Sequence, residues 1–197
     1  MQPDVRYAIY FVPPADSDLY RFGASVLGYD CYTGEDVSPS TDLAEWVDRP
    51  AAVRVPRQYG FHATLKAPFR LAPGMHERSL IEAFESLARK TSAIASVRLV
   101  IQTVKSFVAL VPKTPCEALS SLASTCVAEF DEFSAPLTSK ERSRRNVGLT
   151  EREAFNLDRW GYPYVFEDFR FHMTLTGPLA GTQSDHRRSH RWLTTPR

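Results

Sequence analysis

Two nine-residue stretches of the chain carry side chains whose types and spacing could do acid and base chemistry. Phe61-His62-Ala63-Thr64-Leu65-Lys66-Ala67-Pro68-Phe69 and Phe171-His172-Met173-Thr174-Leu175-Thr176-Gly177-Pro178-Leu179 align without a gap, and Phe, His, Thr, Leu and Pro coincide at five of nine positions. A strand turns successive side chains to opposite faces. One copy therefore sets His62, Thr64 and Lys66 in a polar row against Ala63, Leu65 and Ala67, and the other sets His172, Thr174 and Thr176 against Met173, Leu175 and Gly177. A single histidine on a strand is ordinarily a packing residue, but two copies with matched spacing and flanks imply a shared site. Imidazoles with an unperturbed pKa of about 6.5 can divide the roles of base and acid near neutral pH. Each such group contributes roughly 10²- to 10⁴-fold to a rate. Opening a strained cyclic phosphodiester needs that pair: a base for the attacking water and an acid for the departing alkoxide. The threonine hydroxyls would donate to the non-bridging oxygens as charge grows there. This chemistry asks for no metal and no cofactor, and which histidine is base and which is acid stays open.

Other elements must position these rows. Arg6 to Val12 is rich in β-branched and aromatic residues and stops at Pro13-Pro14, which reads as a strand. Asp16 to Leu27 has apolar residues at helical spacing and Gly28 to close it. Residues 29–56 carry Pro39, Pro50, Pro56 and Gly34 and read as mostly loop, with one helical turn near Leu43 to Val47. Phe61 to Ala67 is a strand ended by Pro68, and Glu77 to Lys90 is an amphipathic helix with Leu80, Ile81, Phe84, Leu87 and Ala88 on one stripe. Ser96 to Thr103 and Ser106 to Val111 read as paired strands. Thr114, Pro115 and Glu117 spell a capping box opening a helix to about Phe130, and Thr150 with Glu153 spells a second one opening a helix to about Trp160. A last strand is expected over Phe169 to Thr176. The irregular alternation predicts an α+β fold with a mostly antiparallel sheet.

The two H-x-T-L motifs resemble those of the two-histidine (2H) phosphoesterase superfamily, which includes RNA cyclic phosphodiesterases. Tyr59 to Phe69, Trp160 to Tyr164, Arg170 to Gly177, Arg6 to Phe11 and Arg21-Phe22-Gly23 look like the branch labelled phosphonate metabolism protein, over about residues 6–180. The resemblance implies one bilobal domain over residues 1–197 with a central groove, lobe motifs at 61–69 and 171–179, and His62, Thr64, His172 and Thr174 as catalytic residues. It also implies a sugar-derived cyclic phosphate as substrate. After Pro178 only 19 residues remain, with four arginines and little apolar content, so the usual C-terminal part of the second lobe is expected to be missing or altered and 180–197 to be a basic tail.

Lys66, Tyr59, Thr176 and Tyr164 are the candidate substrate-binding residues. Lys66 could equally be a solvated strand-end lysine, and Tyr59 and Tyr164 could be packing residues. Arg57 reads as a cleft or a surface residue. Lys140, Arg142, Arg144 and Arg145 form a basic cluster that reads first as a solvated loop. His186 and His190 at helical spacing lack a third ligand and read as coincidence. The composition narrows the partners. With 24 Lys plus Arg against 23 Asp plus Glu, the net charge of +1 supplies no global field for nucleic acid or an anionic bilayer. No apolar run approaches the ~20 residues of a membrane helix, and no basic-then-apolar leader opens the chain. Cys31, Cys116 and Cys126, odd in number and far apart, fit reduced thiols. A cytoplasmic enzyme acting on a small cyclic phosphate is expected, with no membrane contact. An RNA end-processing phosphodiesterase and an inactive phosphate-binding module are the alternatives.

Overall fold

The structure is a computed structural model and describes residues 5–178. Its elements run β1 (Tyr7–Phe11), α1 (Asp18–Leu27), α2 (Thr41–Ala44), α3 (Arg49–Val53), β2 (Ala63–Phe69), α4 (Glu77–Lys90), β3 (Leu99–Val104), β4 (Phe107–Pro112), α5 (Glu117–Glu129), α6 (Ser139–Arg145), α7 (Glu151–Trp160) and β5 (Met173–Thr174). The fold is α+β. The strands hydrogen-bond in the order β1-β2-β5-β4-β3, and β2 with β5, β5 with β4, and β4 with β3 are antiparallel. No helix among the described residues is long and apolar enough to cross a membrane. The basic tail and the His186/His190 pair lie outside the described residues.

The chain divides into two compact units. The first takes residues 5–10, 64–96 and 116–171. Its core joins Ile9 of β1 and Leu65 of β2 to Leu80 and Leu87 of α4 and to Ala123, Cys126, Phe130 and Phe133 in and after α5. Leu80 and Leu87 lie seven residues apart on one stripe of α4, as the periodicity requires, whereas Ile81 and Phe84 of the expected stripe stay largely exposed. α7 begins with the predicted box: Thr150 Oγ1 accepts from the Glu153 N–H and the Glu153 carboxylate accepts from the Thr150 N–H. The same device opens α6 at Thr138 and Glu141, so the basic cluster expected as a loop is helical. Its carboxylate also binds Arg6 and Arg70, and its hydrogen bonds to Thr138 hold its pKa down to about 2.

The second unit takes residues 11–63, 97–115 and 172–178. The stretch expected as mostly loop holds α2, α3 and a 3-10 turn at Pro56–Tyr59. It is pinned to the end of α1 by Arg49, which donates to the Val26 carbonyl at 2.8 Å, and by Arg57, which donates to the Gly28 carbonyl and pairs with Asp36.

Three further expectations are corrected. β2 continues through Pro68 to Phe69; β5 pairs with β2 only at Ala63, so most of the strand has an open side of the kind that tolerates a proline. α5 starts at Glu117 with Cys116 as its N-cap, two residues after Pro115, the expected first helical position; the Lys113 N–H, just ahead of the expected box, bonds the Arg98 carbonyl at 2.8 Å. β5 is two residues long. The Leu175 and Thr176 N–H groups both turn to the Val108 carbonyl, and Thr176 Oγ1 accepts from the Val108 N–H at 3.0 Å, so a side chain replaces the next rung.

Candidate functional site

The second unit brings His62, His172 and Thr174 together through its strand pairing. Ala63 of β2 is the partner of Met173 of β5. Moving one residue outward in an antiparallel register sets His62 across from Thr174 on the same face. On its other side Thr174 pairs with Ala109 of β4, and the Phe107 ring packs on the His172 imidazole with centroids 5.6 Å apart. His62, His172 and Thr174 are each half-buried.

His62 is fixed from two sides. The preceding Phe61 ring is fully buried and rests on the α1 backbone at Gly23, where a Cβ would lie 2.1 Å from ring carbons. Gly60 has φ 71° and ψ 179°, a region essentially confined to glycine, and a Cβ there would meet Cys31 Cβ at 2.5 Å. That backbone aims the Gly60 carbonyl at His62 Nδ1, 2.9 Å away. A carbonyl can only accept, so Nδ1 carries hydrogen, and Nε2 of the neutral ring is left as the basic nitrogen. Burial pushes the His62 imidazole below its ordinary pKa; the Gly60 bond opposes this, and the neighbouring His172 adds to the lowering. Near pH 7 this ring is neutral.

The remaining candidates fall in different places. Thr64 follows Ala63 on β2, half-buried, and counts with the first unit, as do Lys66 and Tyr164. Lys66 is 4% exposed, so it is not a solvated strand-end residue. Its Nζ donates to the Val127 carbonyl at 3.2 Å, and burial lowers its pKa to about 8. Tyr164 packs edge-on against Tyr162, centroids 5.6 Å apart. Tyr59 stands in the 3-10 turn with 56% of its surface exposed. Thr176 is fully buried, with its hydroxyl and its N–H both on β4. Sequence reasoning missed Gly60 and Phe107. The Gly60-Phe61-His62 string held the first signal, and nothing in the spacing announced the second. Among the described residues no three His, Cys, Asp or Glu side chains come close enough to hold a metal ion.

The chain is 39% identical over 189 residues to the ribose 1,5-bisphosphate phosphokinase PhnN of Janthinobacterium sp. (strain Marseille), covering 91% of this chain and 40% of that protein. It is 38% identical over 176 residues to the PhnN of Laribacter hongkongensis (strain HLHK9), covering 89% of this chain and again 40% of the relative. The chain thus spans 40% of the length of these curated relatives. No solved structure matches it. The family described as "Protein of unknown function (DUF1045)" matches residues 64–196, a span that takes in the second histidine motif and continues well past Pro178. With more than half of its length matched, the chain belongs to the DUF1045 family.

Proposed function

We propose that this chain hydrolyses a cyclic phosphate ester of a ribose-type sugar by general acid and base catalysis, as a step of phosphonate metabolism. The observation that carries the reading is the state of His62: Nδ1 on the Gly60 carbonyl, a lowered pKa, and His172 and Thr174 in the same unit. His62 Nε2 takes a proton from water as the water oxygen bonds to phosphorus. The ring P–O bond breaks on the far side, and His172 gives its proton to the departing sugar oxygen. Thr174 donates to a non-bridging oxygen, and Thr64 takes the same role by its equivalent place in the repeat. The next turnover begins once His62 has lost the proton and His172 has regained one.

The relatives' name supports a sugar phosphate. They are named as kinases of ribose 1,5-bisphosphate, and this chain spans 40% of them. Its own sequence lacks the G-x-x-x-x-G-K-[ST] loop that cradles nucleotide phosphates. Opening a cyclic phosphate on a phosphorylated ribose yields a ribose bisphosphate, the class of compound those kinases are named for. The reading therefore makes this chain a supplier of such a substrate. The test is ³¹P NMR of a five-membered ribosyl cyclic phosphate incubated with the protein in excess chelator, beside an RNA ending in a 2′,3′-cyclic phosphate. Conversion of the sugar ester to a monoester, faster than that of the RNA, is expected. No conversion of either compound contradicts the reading.

A further inference from the structure

The first unit encloses a cavity of about 370 Å³, lined by six basic and three acidic side chains. The acidic ones are already engaged. Glu141 binds Arg6 and Arg70, Asp158 takes a bidentate pair from Arg142 at 2.6 and 2.8 Å, and Asp131 pairs with Arg159 at 2.7 Å. Lys66 differs from the other cations. It is 4% exposed, its Nζ makes a hydrogen bond to the Val127 carbonyl, and it lies 5.2 Å from the centroid of the Phe69 ring. No carboxylate among the described residues stands within ion-pairing distance of it. An ammonium carries three donors, so two find no hydrogen-bond acceptor among the described residues, in a place where an unpaired charge is costly. Arg145 lines the same space, with one guanidinium nitrogen on the Gly161 carbonyl, and Trp160 and Tyr162 add aromatic walls.

We propose that this cavity binds a small phosphate monoester, whose phosphoryl oxygens take the open donors of Lys66 and the guanidinium of Arg145. A dianion would balance the surplus of basic groups, and charge-assisted hydrogen bonds of this kind are the strong ones. The volume sits at the lower end of small-molecule sites, roughly 300–1,000 Å³, and suits a sugar phosphate better than a dinucleotide. The inference stands on residues of the first unit and does not rest on the two-histidine reading.

The experiment is calorimetric titration of the full chain at neutral pH with ribose 5-phosphate and, separately, with inorganic phosphate. Saturable binding is expected, tighter for the sugar phosphate where the organic part contributes; equal affinity would assign the site to free phosphate. Lys66→Met should weaken binding at least about tenfold, and Arg145→Gln should weaken it as well, each with an unchanged circular dichroism spectrum. Lys66→Met should weaken binding by the same factor when it is made in a His62→Ala background, which separates this site from the histidines. The proposal is overturned if Lys66→Met and Arg145→Gln bind both ligands as tightly as the unmodified chain. It is also overturned if neither ligand binds the unmodified chain up to about 10 mM, two decades above an affinity of 0.1 mM.

Discussion

Gly23→Ala probes how the fold holds the first histidine. The added Cβ would stand 2.1 to 2.4 Å from three carbons of the Phe61 ring. An ordinary contact needs at least about 3.4 Å, so the ring or α1 must give by more than 1 Å in a region already closed to solvent. Overpacking of this kind costs about 1–3 kcal/mol, and so deep an overlap belongs at the upper end. Replacing a mid-helix glycine with alanine returns about 1 kcal/mol of helix propensity, which leaves a net loss of about 2 kcal/mol. At about 2–4 °C per kcal/mol for a chain of this size, Tm should fall by roughly 4–8 °C. Phe61 is covalently next to His62, so activity should fall further than stability does; a displacement near 1 Å can cost about 10²-fold. Pairing Gly23→Ala with Phe61→Leu should recover part of both losses, a coupling that a double-mutant cycle would read. If Gly23→Ala is as stable and as active as the unmodified chain, Phe61 is not the strut that sets His62.

Three other outcomes are expected. The acid limb of the kcat/KM profile should inflect below pH 6.5, the ordinary histidine value, because burial lowers the His62 pKa and the base works only when deprotonated; a limb above 6.5 would assign the base elsewhere. Thr176→Val should lower stability by about 1–3 kcal/mol, read as a urea midpoint, because it leaves the buried Val108 N–H without its hydroxyl partner. Lys66 has a folded pKa of about 8 against an ordinary 10.5. The unfolded chain therefore binds its proton more tightly, and this group makes stability rise with pH between those values. The cost of about 3 kcal/mol is fully present below pH 8. Urea unfolding at pH 7 and pH 10 should show that rise in the unmodified chain and lose it in Lys66→Met.

The repeat was legible because strand alternation needs only local sequence, and residue spacing alone put both histidines and both threonines on polar rows. Capping chemistry was legible for the same reason at Thr150 and Glu153. The same pattern is offset at Thr114 to Glu117, where Cys116 rather than Thr114 takes the N-cap and the helix begins at Glu117. It went unread at Thr138 to Glu141, where a run of arginines suggested a solvated loop; in the fold Arg142 pairs with Asp158 and Arg145 donates to the Gly161 carbonyl. Lys66 shows the limit most clearly. Alternation set it beside His62 and Thr64 in a polar row, yet residues more than 60 positions away wrap its ammonium in a cavity. The Gly60 carbonyl that sets the His62 tautomer was hidden for a related reason: a backbone acceptor leaves no mark in composition, only the glycine that makes its angle attainable.

The central claim is that two histidines act as one acid and base pair, and a kinetic double-mutant cycle tests it most directly. The measurement is kcat/KM for a ribosyl cyclic phosphate with the unmodified chain, His62→Ala, His172→Ala and the double variant. Each single change should cost at least about 10³-fold, and the double variant should lose little more than either alone, because groups acting as a unit are not additive. Turnover by His172→Ala equal to that of the unmodified chain, or single losses that simply multiply in the double variant, would contradict the two-histidine mechanism.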